Sequence, residues 1–287
     1  MRAEFRLPSP LPPSLAAAME ALAPRWAALD IPAGTLGVIL GSGLGPAAEA
    51  FPARWSRGFE ELGLTQASVA GHAGRLLLTD GPGAPLLFLQ GRLHRYEGLD
   101  DARVLLPAAA LASLGLAGIL ITNAAGGLDP AFAPGDFMLI DDILSLQLDD
   151  PLRGLSLDGA PRRPPRRPLF TGTLADTLVA AAAEAGVTLH RGTLTCATGP
   201  SYETRAEVAM TRALGAQAAS MSTYPESMLL AHLGHPAVAM SCITNAIPPA
   251  DAADSAPLTH DEVVDVGRRA ATDFGRLLAA WSRRVGT

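Results

Sequence analysis

The chain has 287 residues, of which 48% are hydrophobic and 17% charged, with a formal net charge of −6 at pH 7. That length and apolar content suffice for one large α/β domain or two small ones and argue against disorder. The acidic balance excludes the basic footprint of a nucleic-acid binder. All 22 basic residues are arginine, so a pyridoxal Schiff base and a phosphate-binding P-loop, which both need lysine, are excluded too.

Residues 1–13 form a proline-rich lead-in with no apolar signal-peptide core, and no run has membrane-spanning character. The expected location is cytoplasmic, with no membrane partner. An amphipathic helix is predicted over 14–29, interrupted near Pro24. Strands are expected at 35–40, 75–80, 85–90, 118–123, 137–142, 191–198 and 237–244. Helices are expected at 101–114, 173–185, 204–214, 225–233 and 260–284. Gly81-Pro82-Gly83-Ala84 marks a hairpin between the second and third strands. Later strands alternate with helices, which favours a mixed, mostly parallel twisted sheet wrapped by helices in a single domain. Residues 155–169 read as an irregular Arg/Pro surface loop. Cys196 and Cys242 each sit in an apolar strand-like run and are expected to be buried free thiols. Thr259 is placed to cap the last helix, with Asp261 and Glu262 in its first turn.

Chemistry-bearing residues cluster where strands end. Residues 119–127, ILITNAAGG, carry a buried strand into Asn123 and a Gly-rich turn. TLGVIL runs into Gly41-Ser42-Gly43-Leu44-Gly45, a turn whose hydroxyl and backbone N–H groups suit an anion but which fails the dinucleotide fingerprint at Pro46-Ala47. Gly71-His72-Ala73-Gly74 precedes the hairpin, and Gln90-Gly91-Arg92-Leu93-His94-Arg95-Tyr96-Glu97-Gly98 follows it. Arg92 suits a bidentate clamp on phosphate and His72 adds a donor. On local evidence alone a solvated loop is the favoured reading for Arg92 and His94. In Gly199-Pro200-Ser201-Tyr202-Glu203-Thr204, Tyr202 offers a flat face and Glu203 an acceptor for ring N–H groups; the rival reading has Ser201 capping the next helix. Met221-Ser222-Thr223 and Thr244-Asn245 end further strands, and His260 opens the last helix. His232 and His235 share a helical spacing without a convincing third ligand, so no metal site is expected.

Taken in order, GSGLG, GHAG, QGRLHRYEG, TNAAGG, GPSYET, MSTYPE, ITN and the late HDEV resemble the trimeric class of purine nucleoside phosphorylases over roughly residues 12–284. The resemblance implies a single α/β domain whose mixed sheet is partly closed into a barrel surrounded by helices. It implies reversible phosphorolysis of purine (deoxy)ribonucleosides to free base and (deoxy)ribose 1-phosphate, with inorganic phosphate as co-substrate, no cofactor and no metal, in a homotrimer. Carried over by position, phosphate meets Ser42, His72, Arg92, the Ala124 N–H and Ser222. The ribose meets Tyr96, Met221 and His260, with His94 nearby. The base meets Tyr202, Glu203 and Asn245, and the catalytic set is Asn245, Glu203 and His94. Glu203 with Asn245 favours 6-oxopurines, inosine and guanosine, over adenine.

Two positions depart from the pattern. Ser220 stands where the family usually has glycine. The segment after Gly154, LSLDGAPRRPPRRPLF, offers only Phe170 where the family supplies a phenylalanine to a neighbouring subunit. The remaining alternatives are a methylthioadenosine-type phosphorylase, a non-catalytic purine nucleoside-binding protein and an NAD-dependent oxidoreductase.

Overall fold

The computed structural model describes residues 2–66, 73–153, 155, 170, 172–248 and 259–286. His72, and all of the 155–169 loop except Leu155, lie outside the described residues. In chain order the elements are α1 (Pro13–Ala27), β1 (Leu36–Ile39), β2 (Ala53–Gly58), α2 (Phe59–Leu62), β3 (Arg75–Thr79), β4 (Leu86–Gln90), α3 (Asp101–Ala112), β5 (Gly118–Gly127), β6 (Phe137–Ser145), α4 (Thr173–Ala185), β7 (Leu189–Cys196), α5 (Arg205–Ala213), β8 (Ala218–Ser220), α6 (Tyr224–His232), β9 (Ala237–Ala246) and α7 (His260–Val285). Short 3-10 turns occupy Gly45–Ala50 and Arg95–Glu97.

The nine strands form one mixed sheet in the order β2-β3-β4-β1-β5-β8-β7-β6-β9, and β9 pairs back onto β5. Strands β5, β8, β7, β6 and β9 therefore close into a ring, and β1 to β4 extend from it as an open wing. β1 lies parallel to β4 and β5, β5 parallel to β9, and β7 parallel to β6 and β8. The β3–β4 hairpin is antiparallel, as Gly81-Pro82-Gly83-Ala84 predicts.

The apolar runs of the wing alternate between two cores residue by residue. Leu76, Leu78, Leu87 and Leu89 face one cluster, under α1, α3 and α6; Leu77, Leu86 and Phe88 face the other, under α4 and α7. This is a sheet buried on both faces, which explains why its strands read as continuous apolar runs rather than as alternation. Trp26 and Trp281 are fully buried anchors of the two clusters, and their indole N–H groups donate to Leu62 O at 3.0 Å and Thr177 Oγ1 at 3.2 Å.

Some expectations need correction. Pro24 does not interrupt α1, which runs through it and keeps Leu22 and Trp26 in the core. β2 and β8 were not expected: β2 is a largely exposed polar edge, and β8 is only three residues long. β5 continues beyond residue 123 to Gly127, and β7 starts at Leu189 rather than 191. Cys196 and Cys242 are buried and unbonded, and burial pushes both thiols up, Cys242 to about 12. Phe170 is buried in its own chain's core, which removes it as a group offered to a neighbour.

Candidate active site

β5 is the spine of the site. Thr122 Oγ1 accepts from the Gly41 N–H and donates to Ile39 O, both at 2.9 Å, which ties the end of β1 to β5. Gly41 lies so close to the Asn123 backbone that a Cβ would sit 2.7 Å from Asn123 Cα. This fixes the adjacent half-buried Ser42 beside Asn123. Gly43, at φ +82°, leaves no room for a Cβ against Val264 O or Gly267 of α7. The Gly-rich turn is thus clamped between β5 and the first turns of α7.

Arg92 follows β4 and is 3% exposed, so the solvated-loop reading fails. Its Nη1 donates to Thr122 O at 2.7 Å and to Ser222 Oγ at 3.2 Å. Glu226, also buried, brings Oε1 within 2.7 Å of Arg92 Nε. Among the described residues, Arg92 Nη2 and Nε have no hydrogen-bond partner although buried. A buried guanidinium with unused donors is a site built for an oxyanion.

The MSTYPE turn carries strain. Thr223 is β-branched and fully buried, yet has φ +81°, an outlier that only its surroundings sustain. Asn123 Nδ2 donates to Thr223 Oγ1 at 2.7 Å and helps hold it. The turn delivers Ser222 to Arg92, while Ser222 O accepts from Cys196 Sγ at 3.0 Å.

His94 is buried as well, at 8% exposure. Its N–H donates to Glu97 Oε1 at 2.7 Å, its Nδ1 lies 3.3 Å from the same oxygen, and its ring stacks on Tyr96 at 4.7 Å. Burial, with Glu97 and Tyr202 adding to it, pushes the Tyr96 phenol up to about 12. Gly199 packs tightly between two of these segments: a Cβ there would lie 2.4 Å from Met221 Sδ and 3.0 Å from Tyr96 Cδ1. GPSYET, MSTYPE and QGRLHRYEG therefore meet at one point. Arg95 braces this wall, donating to Asp101 at 2.8 Å and to Gln147 Oε1 at 3.0 Å, and Gln147 Nε2 donates to Ala197 O at 3.1 Å.

At the other end, β5 and β9 change register between Ala125 and Gly126, so that Ala125 faces Ile243 but Gly126 faces Asn245. Thr244 is the extra residue of a bulge, which re-aims the side chain that follows. Its hydroxyl lies 3.2 Å from Asn245 Oδ1 and 3.3 Å from Ala125 O. Gly126 leaves no room for a Cβ, which would sit 2.7 Å from Ile247 Cδ1 and 3.3 Å from Asn245 Nδ2. Ser220 donates to Ala124 O at 2.9 Å, so its hydroxyl is spent on the β5 backbone. Glu203 is half-buried, and burial raises its carboxyl above the ordinary range. Tyr202 is 49% exposed; partial burial raises its phenol, and Glu203 and Glu262 add to it. The helix after it is capped by Thr204, not Ser201.

Of the sequence-derived residues, Ser42, Arg92, Ala124, Ser222 and Asn245 lie on β5 or one contact from it, Met221, Tyr96 and His94 meet around Gly199, and Tyr202 and Glu203 follow Gly199 in the same loop. His260 is exposed at the start of α7, next to the chain outside the described residues. Glu97, Thr223 and Glu226 were given no role, and Asn123 was singled out without one; their signal lay inside YEG, TNAAGG and MSTYPE, where a polar residue in an apolar context needs a buried partner. No group of three metal-ligating side chains occurs among the described residues.

A family model described as the phosphorylase superfamily matches residues 35–282. The chain is 36% identical over 247 residues to purine nucleoside phosphorylase 1 of Bacillus subtilis (strain 168), covering 85% of this chain and 90% of that protein. It is 35% identical over 241 residues to the purine nucleoside phosphorylase of Rattus norvegicus, covering 82% and 83%. The crystal structure of a schistosoma purine nucleoside phosphorylase in complex with hypoxanthine superposes with a TM-score of 0.78 at 28% identity, covering 87% of this chain and 90% of that one. The chain belongs to the phosphorylase superfamily, and within it to the purine nucleoside phosphorylases.

Proposed function

We propose that the site phosphorolyses 6-oxopurine ribonucleosides and deoxyribonucleosides. Phosphate is held by Arg92, Ser222, Ser42, the Ala124 N–H and His72. The sugar lies over it against Tyr96, Met221 and His260, with His94 alongside. The base lies between Tyr202, Glu203 and Asn245. The observation that carries this reading is the unpartnered edge of buried Arg92 beside Ser222, four residues along β5 from the position facing Asn245. At about 3.3 Å per residue that is roughly 13 Å, enough for an anion, a pentose and the near edge of a purine.

Breaking the N-glycosidic bond leaves a cation-like sugar and an electron-rich purine. The phosphate dianion beneath the sugar stabilises the first. Asn245, with its Oδ1 turned to the Thr244 hydroxyl, presents Nδ2 as a donor to N7 and O6 of the second. Ionised Glu203 accepts from N1–H, a group adenine lacks. Each contribution is preorganised electrostatics and positioning, with no covalent intermediate required. The motif resemblance to the trimeric class supports reading the chain as a homotrimer.

The test is base release from inosine, guanosine, adenosine and methylthioadenosine, each with and without phosphate. Phosphate-dependent release from inosine and guanosine, with adenosine and methylthioadenosine far slower, is expected. Preferential cleavage of methylthioadenosine, or release independent of phosphate, would overturn the reading.

A further inference from the structure

We propose that Glu226 acts as a charge counterweight in the phosphate subsite, weakening the grip on phosphate and sugar 1-phosphate so that they leave. The inference rests on the reading of Arg92 as the phosphate residue. Both side chains are almost completely buried, at 3% exposure for Arg92 and 5% for Glu226, with Oε1 2.7 Å from Nε. Yet the contact is ionic rather than directional. Arg92 Nε and Nη2 and Glu226 Oε2 all lack a hydrogen-bond partner among the described residues. The guanidinium is oriented instead through Nη1, by Thr122 O and Ser222 Oγ. What Glu226 contributes to Arg92 is therefore a negative charge more than a geometry.

That charge is costly to an incoming anion. Phosphate and Glu226 share one cation, at a place where salt screens little. Two like charges about 6 Å apart at an effective dielectric near 20 repel enough to change an affinity by on the order of tenfold or more. Replacing the carboxylate with a neutral group of similar shape leaves Arg92 positioned but uncompensated, so phosphate binds more tightly and sugar 1-phosphate leaves more slowly. A residue with a merely structural role gives the opposite sign, because its loss loosens the subsite.

The experiment titrates inorganic phosphate calorimetrically into the wild-type protein, Glu226→Gln and Glu226→Met, with inosine binding in phosphate-free buffer as the control for an intact base site. The expected result is a phosphate Kd lower by about tenfold in both variants, with inosine binding unchanged. Unchanged or weaker phosphate binding in variants that still bind inosine overturns the inference. Arg92→Met separates the two levels: if it abolishes phosphate binding the subsite stands and the Glu226 variants decide, and if it does not, subsite and inference fall together. Should the variants prove too unstable to titrate, the rise in melting temperature on adding phosphate replaces the Kd. A larger rise than in wild type supports the counterweight, and a smaller one overturns it.

Discussion

At the scale of single residues, the proposed function depends on polar side chains at strand ends, some of them buried. Asn245 touches the departing base in the proposed mechanism and supports no core packing, so Asn245→Ala is expected to lower kcat for inosine by roughly 10²–10³-fold, the range seen when one preorganised donor is lost. Its melting temperature should stay within a few degrees of wild type, and near-normal turnover would remove Asn245 from the mechanism. Glu203 gives a pH prediction. Burial raises its folded-state pKa above the ordinary carboxylate value, so between the unfolded and folded pKa values the native state holds a proton that the unfolded state has released, and above both the carboxylate is ionised. The stability it contributes is therefore complete below the unfolded pKa and lost as pH rises through the folded one. Urea titrations should show Glu203→Gln more stable than wild type at neutral pH, with the difference closing in acid. Its turnover of inosine should fall, because an amide that turns its NH2 to N1–H cannot accept from it. Asn245 and Glu203 were singled out in the sequence because they stand inside motifs whose order resembles the family's. Their buried partners were not: nothing local says that Glu226 reaches Arg92 across more than a hundred residues, or that Thr223 takes a left-handed conformation.

At the scale of elements, legibility followed apolar content. β3, β4 and β5 are runs buried on both faces and stood out; β2, written ARWSRG on an exposed edge, and three-residue β8 carry too little pattern to read. α1 reads as broken at Pro24, but tertiary burial of Leu22 and Trp26 keeps the helix whole despite the lost hydrogen bond. The bulge at Thr244 also escapes sequence analysis, since a one-residue register shift depends on the partner strand. The contact between the Gly-rich turn and α7 makes a testable hinge of packing and binding. Gly43→Ala forces a Cβ to within 2.6 Å of Val264 O at φ +82°, so α7 must move away from Ser42. The variant should lose more than about 1 kcal/mol of stability and show a raised KM for phosphate with a smaller change in KM for inosine. Equal effects on both substrates would mean that the turn does not serve the anion. Thr259 accepts from the Glu262 N–H and Glu262 answers the Thr259 N–H at 2.9 Å. Thr259→Ala should cost about 1 kcal/mol in urea unfolding without lowering kcat by more than a few-fold.

At the scale of the whole molecule, the ring of β5, β8, β7, β6 and β9 explains why distant segments meet. Four of those strands deliver their ends or turns to one place, and the open wing adds the two turns that carry Ser42 and Arg92. No helix among the described residues is long and apolar enough to cross a membrane. Phe170 is buried in its own chain's core and is not offered to a neighbouring chain. The central claim is spatial: an anion on Arg92 and a purine at Asn245, with room for one pentose between them. A crystal soaked with hypoxanthine and sulfate tests it most directly. The account predicts sulfate on the unpartnered Nη2 edge of Arg92 near Ser222, and hypoxanthine with N1–H on Glu203 and N7 or O6 on Asn245 Nδ2. Sulfate bound away from Arg92, or a base turned away from both Glu203 and Asn245, would contradict it.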